Sequence, residues 1–222
     1  MLSHKKPDYY RGLREDIASL VSGSTERVLD VGCAAGVTGE MLKKKGIREV
    51  VGIEIEESSY KEALRRLDKV FLGDVQKMTL PFDDGYFDCI IYADVLEHLP
   101  DPWSVVRGHK RLLKDTGYVI ASIPNVRHYR VVKKLLSGKW EYEERGVLDA
   151  GHLRFFTLES IKKMFHDSGY RIETLVYKIS ASKIRKFLNN ISGGRLNEEL
   201  SEQFLIKATK DKGISWSEDA TS

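Results

Sequence analysis

The stretch Val28-Leu29-Asp30-Val31-Gly32-Cys33-Ala34-Ala35-Gly36 constrains this chain more than any other. A short apolar run ends in a turn of small residues, and a helix-forming segment follows to about Lys45. A strand feeding a glycine turn and a helix is the opening of a parallel α/β unit, with the ligand expected beyond the carboxyl end of the strand. Gly32 and Gly36 let backbone approach a ligand where a Cβ would collide. The helix start behind the turn presents free N–H groups.

The rest of the chain repeats that alternation. Further strands read at 49–53, 69–72, 87–93, 117–123, 171–179 and 204–208, and helices at 8–22, 57–68, 103–113 and 158–168. Near-continuous apolar strands alternating with helices predict a mostly parallel sheet covered on both faces. Right-handed crossovers make it doubly wound. After Pro124 the pattern loosens: 126–156 is basic and aromatic, and 183–200 is polar around Gly193-Gly194. The expected organisation is an N-terminal helical lid over 1–24, a core over 25–210 with a cap at 126–156 and an insertion at 183–200, and a flexible tail over 211–222.

Composition removes several classes. Apolar residues make up 41% and charged residues 31% of the 222, which excludes a membrane-embedded, collagen-like or wholly disordered chain. No apolar run approaches the ~18–20 residues that span a bilayer. The expected location is the cytoplasm, since no apolar leader opens the sequence and two cysteines make no disulfide framework. Cys33 and Cys89 are not at zinc spacing, and no tight carboxylate cluster calls for a divalent ion, so no metal is expected. Net charge of +3 does not point to nucleic acid. The basic groups Arg127, Arg130, Lys133, Lys134, Lys139 and Lys183, Arg185, Lys186 read first as solvated helix faces, and second as attraction for an anionic substrate.

The glycine pattern is neither of the common nucleotide fingerprints. G-x-G-x-x-G starting at Gly32 requires glycines where Ala34 and Val37 stand, and no Gly-Lys-Ser/Thr opens the helix. A ligand without a pyrophosphate fits better. Glu54 ends the second strand, where a carboxylate can accept both hydroxyls of a ribose. Asp74 follows the third strand, placed to accept from an adenine amino group. Each acid alone also reads as a turn cap. Three successive strand ends suited to one nucleoside make the stronger case.

With these features in place, the sequence resembles class I S-adenosylmethionine-dependent methyltransferases. The motifs are Leu29 through Gly36, Gly52-Ile53-Glu54, Gly73-Asp74-Val75, and Phe87-Asp88 through Asp94-Val95-Leu96-Glu97-His98-Leu99. Ser122-Ile123-Pro124-Asn125-Val126, Gly138-Lys139-Trp140 and Asp149 through Thr157 resemble a branch encoded beside glycosyltransferases for bacterial surface polysaccharides. Ala34 departs from the family's usual glycine. The resemblance implies a Rossmann-like, seven-stranded, three-layer α/β/α fold with an antiparallel last strand. It implies S-adenosylmethionine as cofactor and S-adenosylhomocysteine as product. By motif match, Asp30, Gly32, Cys33, Ala34 and Gly36 hold the methionine end. Glu54 takes the ribose, Ile55 the adenine face, and Asp74 and Val75 the adenine edge. Asp94 and Val95 lie beside the reacting sulfonium, and Tyr10 covers the cofactor.

In-line methyl transfer to a hydroxyl also needs a proton acceptor. His152 is the favoured base, with Asp149 three residues before it as orienting carboxylate. For His152 the bland alternative is a loop-anchoring hydrogen bond; His98, just after the fourth strand, is the second candidate, and in similar proteins this Glu-His pair is structural or lines the cofactor site. The expected activity is methylation of an oxygen on a small-molecule or glycan acceptor. The competing readings are an RNA or protein methyltransferase, disfavoured by the missing amine-type motif after the fourth strand, and a non-catalytic nucleoside-binding protein.

Overall fold

The computed structural model describes residues 12–179, 191 and 193–211. The elements are α1 (Glu15–Leu20), β1 (Arg27–Val31), α2 (Val37–Lys44), β2 (Glu49–Glu54), α3 (Glu57–Ala63), β3 (Lys69–Leu72), β4 (Phe87–Ala93), α4 (Pro102–His109), β5 (Leu113–Pro124), α5 (Tyr129–Leu136), α6 (Leu158–Asp167), β6 (Tyr170–Ile179) and β7 (Ser201–Lys210). They build one seven-stranded sheet in the order β3-β2-β1-β4-β5-β7-β6. β7 runs antiparallel to both β5 and β6, and the remaining pairs are parallel. This is the architecture the resemblance implies, with the antiparallel last strand paired beside 171–179.

Alternation along the strands makes the three layers. Leu29, Val31, Val51, Ile53, Ile90 and Tyr92 pack into one apolar cluster. Val28, Val50, Cys89, Ile91 and Ile120 enter the other, on the opposite face. Helix starts follow local chemistry. Asp101 caps α4 through Ser104 N–H at 3.1 Å with Pro102 in the first turn. Thr157 and Ser160 close a reciprocal cap on α6. Gly52, in the middle of β2, is required by contact: a Cβ there would lie 2.5 Å from Cys33 Sγ and 2.8 Å from Leu67 Cδ1.

Some boundaries differ from the sequence expectation. α3 stops at Ala63 because the amides of Arg65 and Arg66 bond three residues back, which tightens the chain into turns. α4 gives way to a 3-10 turn at Lys110–Leu112, and β5 starts at Leu113. The loosely patterned 126–156 region contains α5, of which only Val131 is buried. The expected helix over 8–22 is seen as Glu15–Leu20, with residues up to 11 outside the described range. The proposed tail beyond Asp211, and 183–190 of the insertion, are also outside it. Among the described residues no helix is long and apolar enough to cross a membrane.

Candidate functional site

The strand order reverses between β1 and β4, the place beyond the strand ends where open α/β sheets form their ligand crevice. The chain brings most of the sequence-predicted residues to this place. Gly32, Ala34 and Gly36 have φ of 70°, 48° and 77°, all left-handed. Gly32 is exposed between buried Val31 and Cys33. A Cβ on Gly32 would meet Val95 Cγ2 at 2.5 Å, so the ends of β1 and β4 touch across the switch point. Gly32 and Cys33 donate their amides to the Ile53 carbonyl at 2.8 and 3.0 Å, which ties the turn to β2. Cys33 is buried, and burial pushes its thiol well above the usual range, so it packs rather than reacts.

Glu54 is 5% exposed and accepts three backbone amides, from Ala34, Ile55 and Glu56, each at 2.8 Å. Burial raises its carboxyl, and the three amides pull it back only in part. The acid therefore fixes the glycine turn of β1 and the loop after β2 relative to each other. Ile55, next along, is 54% exposed, an apolar face beside a polar anchor. Asp74 takes Gln76 N–H at 3.0 Å and Lys77 Nζ at 3.3 Å. Burial pushes it up, but these donors outweigh burial and hold it below its ordinary range. Val75 packs against the core. Asp30 lies beneath the turn, 3% exposed, and its carboxyl is pushed up to about 7 by burial and by the negative charge of Glu54.

Asp94, at φ 57°, ends β4 at the same crevice. Its carboxylate accepts from Arg14 Nη1, from Ser122 Oγ at 2.7 Å and from Gln203 Nε2 at 2.8 Å. Arg14 also donates to Ser122 Oγ at 3.0 Å and to both oxygens of Asp16, and Lys178 pairs with Asp16. Burial raises Asp16, but Arg14 and Lys178 together hold it well below the carboxylate range. Sequence reasoning missed Arg14, Ser122 and Gln203, because each reaches Asp94 from a distant part of the chain.

The predicted bases His98 and His152 come together, ring centroids 4.8 Å apart. His98 Nδ1 donates to the Gly151 carbonyl at 2.8 Å and His152 Nδ1 to the Val147 carbonyl at 3.0 Å. Glu97, 1% exposed, stands 3.9 Å from His152 Nε2. Its carbonyl accepts Leu153 and Arg154 amides at 2.8 and 3.0 Å, which docks the 147–154 loop on the turn after β4. Asp149 is buried and accepts Gly151 N–H at 2.8 Å. Glu97 also brings a carboxylate to the Nε2 edge of His152, a residue whose signal in sequence was its place beside His98. Tyr10 lies outside the described residues.

Comparison with known proteins identifies the family and the fold. A family model described as a methyltransferase domain matches residues 3–175. A ubiquinone biosynthesis O-methyltransferase of Bordetella avium is 36% identical over 118 residues, 50% of this chain and 47% of that protein. Its counterpart in Pseudomonas aeruginosa is 34% identical over 108 residues, 45% of each. The chain spans about half the length of these relatives. A SAM-dependent methyltransferase structure from Archaeoglobus fulgidus superposes with a TM-score of 0.67 at 21% identity, covering 91% of this chain and 97% of that one. One from Mesorhizobium loti gives 0.65 at 15% identity, covering 88% and 96%. At these identities the structural matches establish the fold.

Proposed function

This chain belongs to the methyltransferase-domain family, and from that premise we propose that it transfers a methyl group from S-adenosylmethionine to an oxygen of a small molecule or glycan. The observation that carries the reading is the crevice at the β1/β4 switch. There a left-handed small-residue turn, the buried Glu54 and the strand-end Asp74 and Asp94 stand in the order a sulfur nucleoside requires. The residues fit that group: Gly32 is exposed at the crevice, Ile55 leaves an apolar face beside Glu54, and Asp30 supplies a buried carboxyl under the turn.

When bound, the cofactor supplies an electrophilic methyl on a sulfonium. In this reading Asp30 and the backbone of Gly32, Cys33, Ala34 and Gly36 hold the amino-acid end. Glu54 accepts the ribose hydroxyls, Ile55 lies against the adenine, and Asp74 with the Val75 amide takes its edge. Asp94 and Val95 border the reacting centre, where Arg14, Ser122 and Gln203 fix the carboxylate before any acceptor arrives. A hydroxyl acceptor must give up a proton, and the His152–Glu97 contact, with His98 alongside, is where this chain places acid–base groups. Asp149 shapes the loop that presents His152. Oxygen as acceptor is supported by the O-methyltransferase names of the relatives, whose length the chain covers only by half.

Thermal unfolding with S-adenosylmethionine, S-adenosylhomocysteine and NAD in parallel tests the cofactor. A ligand at ~100 times its Kd adds about 2.7 kcal/mol, or roughly 5–10 °C for a chain of this size. A shift with the two sulfur nucleosides alone is expected, and a shift with NAD alone overturns the reading. Consumption of labelled S-adenosylmethionine in cell extract, with label recovered in an alkali-stable ether or an ester, then tests oxygen transfer against nitrogen.

A further inference from the structure

A groove lies on the far side of Asp94 from the nucleoside anchors. Gly32, Glu54 and Asp74 stand at the ends of β1, β2 and β3, whereas the groove is built past the ends of β5 and β6 and before the start of β7. It has two chambers. One, of about 220 Å³, is lined by Arg127, Tyr177, Arg195, Glu198 and Glu199. The other, of about 420 Å³, shares Arg127 and Glu199 and is otherwise walled mainly by Tyr129, Val132 and Leu136 of α5. We propose that this groove binds a neutral glycoside, with a sugar ring in the polar chamber and an apolar aglycone in the other.

The polar chamber suits hydroxyls. Arg127 Nη1 donates to Glu198 Oε2 and Nη2 to Glu199 Oε1, each at 2.8 Å. Buried Asn125 fixes the same wall, donating to the Glu198 and Ser201 carbonyls at 2.6 and 2.9 Å and accepting the Arg127 amide at 2.9 Å. The guanidinium is thus held between two carboxylates, with N–H groups to spare among the described residues. Glu199 Oε2 is buried and meets no donor among those residues, a state that costs free energy until a donor reaches it. The Glu199 side chain is a third exposed and can turn to a hydroxyl in the groove. Two arginines and two glutamates balance in charge, so the wall offers fixed donors and acceptors without net pull on an ion. A hydroxyl both donates and accepts, which makes a hydroxylated ring the complement of such a wall. Tyr177, packed on Phe204 with ring centroids 5.8 Å apart, adds an aromatic wall for the C–H face of that ring.

The apolar chamber gives α5 a purpose. Tyr129, Val132 and Leu136 recur at helical spacing on one face, and all three are exposed. Their place follows from the strands. Tyr177 pairs with Phe204 in register, and Gln203, the next residue along β7, donates to Asp94 at 2.8 Å. The groove and the nucleoside anchors therefore flank the transfer end from opposite sides. The hydroxyl to be methylated then belongs to the ligand held here, a role that rests on the methyltransferase reading, although glycoside binding itself does not. The sequence hides the groove because Arg127 meets Glu198 and Glu199 across 71 and 72 residues. Arg127, read from the sequence as a solvated or anion-attracting cation, is committed to these two carboxylates.

Calorimetric titration of the full-length protein, without cofactor, tests this. The probes are the octyl glycosides of glucose, galactose and mannose, kept below their micelle concentrations, and the methyl glycosides of the same sugars. At least one octyl glycoside should bind saturably, and at least ~10-fold tighter than its methyl counterpart. Leu136→Glu, at a position 85% exposed, should remove that advantage and leave the methyl glycoside as it was. Arg127→Gln should weaken both at least ~10-fold. Thermal melting shows whether each variant is folded, and if Arg127→Gln is not, Glu199→Gln carries the polar arm. Saturating S-adenosylhomocysteine should leave glycoside affinity within ~3-fold, because the two ligands lie on opposite sides of Asp94. Glycoside binding by a protein that no sulfur nucleoside stabilises would overturn the methyltransferase reading and leave the groove standing. The proposal is overturned by no saturable binding of any of the three octyl glycosides, by tighter binding of octyl phosphate than of every glycoside, by affinity unmoved in the folded variants, or by displacement with S-adenosylhomocysteine.

Discussion

The two sides of the crevice are built differently. On the nucleoside side, each anchoring group acts close to its own strand end. Glu54 holds its next two neighbours and Ala34, 20 residues away, while Asp74 caps its own turn. On the transfer side, Asp94 is held by Arg14 from 80 residues before it and Gln203 from 109 after it, and Asp16 meets Lys178 across 162. The first side is local and pre-formed by strand–turn–helix units. The second exists only once the N-terminal segment and the β6–β7 edge have docked. Binding and turnover should therefore separate on mutation.

The largest effect is expected from Glu54→Ala. Two charge-assisted hydrogen bonds to ribose at about 1.5–3 kcal/mol each amount to at least ~100-fold in S-adenosylhomocysteine affinity. Calorimetric titration reads it directly. The variant should also melt earlier, because three amides lose their acceptor. A change under ~5-fold in affinity would reduce Glu54 to a turn cap and erase the contrast.

Arg14→Gln probes the other side. It removes donors from Asp94, Ser122 and Asp16 at once, in a partly buried ion-pair cluster, and should cost about 2 kcal/mol. That is a fall of roughly 5 °C in the midpoint. Affinity for S-adenosylhomocysteine should hold within ~3-fold, while cofactor consumption in extract falls about tenfold. Equal losses in affinity and turnover would mean that the two sides act as one unit.

This difference also explains what could be read from the sequence. The alternation of strands and helices and the strand-end positions of Gly32, Glu54 and Asp74 were legible because each rests on a local pattern: an apolar run, a turn of small residues, an acid at a strand end; the antiparallel last strand came with the family resemblance. Arg14 and Gln203 carry no local signal, and Ser122, although it opens a motif the resemblance singles out, carries none for its bond to Asp94, since an arginine before a short helix and a serine within a buried strand are ordinary on their own. α5 escaped for another reason. The helix spans only Tyr129–Leu136, and Leu135 and Leu136 are 56% and 85% exposed, so its short apolar stripe stands among basic residues with little core to announce it. His98 and His152 were picked out singly, but their meeting with Glu97 is a tertiary fact.

Asp30 gives a pH test of the nucleoside side. Its folded pKa of about 7 lies above the ~3.9 of an unfolded aspartate. Between those values the folded protein keeps a proton that the unfolded chain has released. Stability is therefore full below about pH 4 and declines as pH rises through 7. Asp30→Asn should flatten that decline and melt a few degrees higher than wild type at pH 8. It should also lose cofactor affinity if the carboxylate holds the amino-acid end, and wild-type affinity should then rise from pH 6 to 8 as Asp30 ionises. An unchanged pH–stability curve in Asp30→Asn would assign the slope to other groups.

The smallest effect is expected at Ala34, and it bears on why the local side is built of small residues. Ala34 sits at φ 48°, where a Cβ costs about 1–2 kcal/mol. Glycine relieves that strain but gives back some of the gain through its looser unfolded chain, about 0.4–1 kcal/mol. Ala34→Gly should therefore stabilise the protein by somewhat under 1 kcal/mol, or about 2–3 °C. The amide that meets Glu54 at 2.8 Å is backbone and survives the change, so S-adenosylhomocysteine affinity should stay within ~2-fold. Scanning calorimetry on the two proteins, with and without ligand, separates these terms. A lower midpoint would show that Ala34 contributes packing that outweighs its strain. A higher midpoint with unchanged affinity would show that the turn is held in its binding shape by Glu54 and Ile53, and that alanine here is tolerated because its strain is borne by that network.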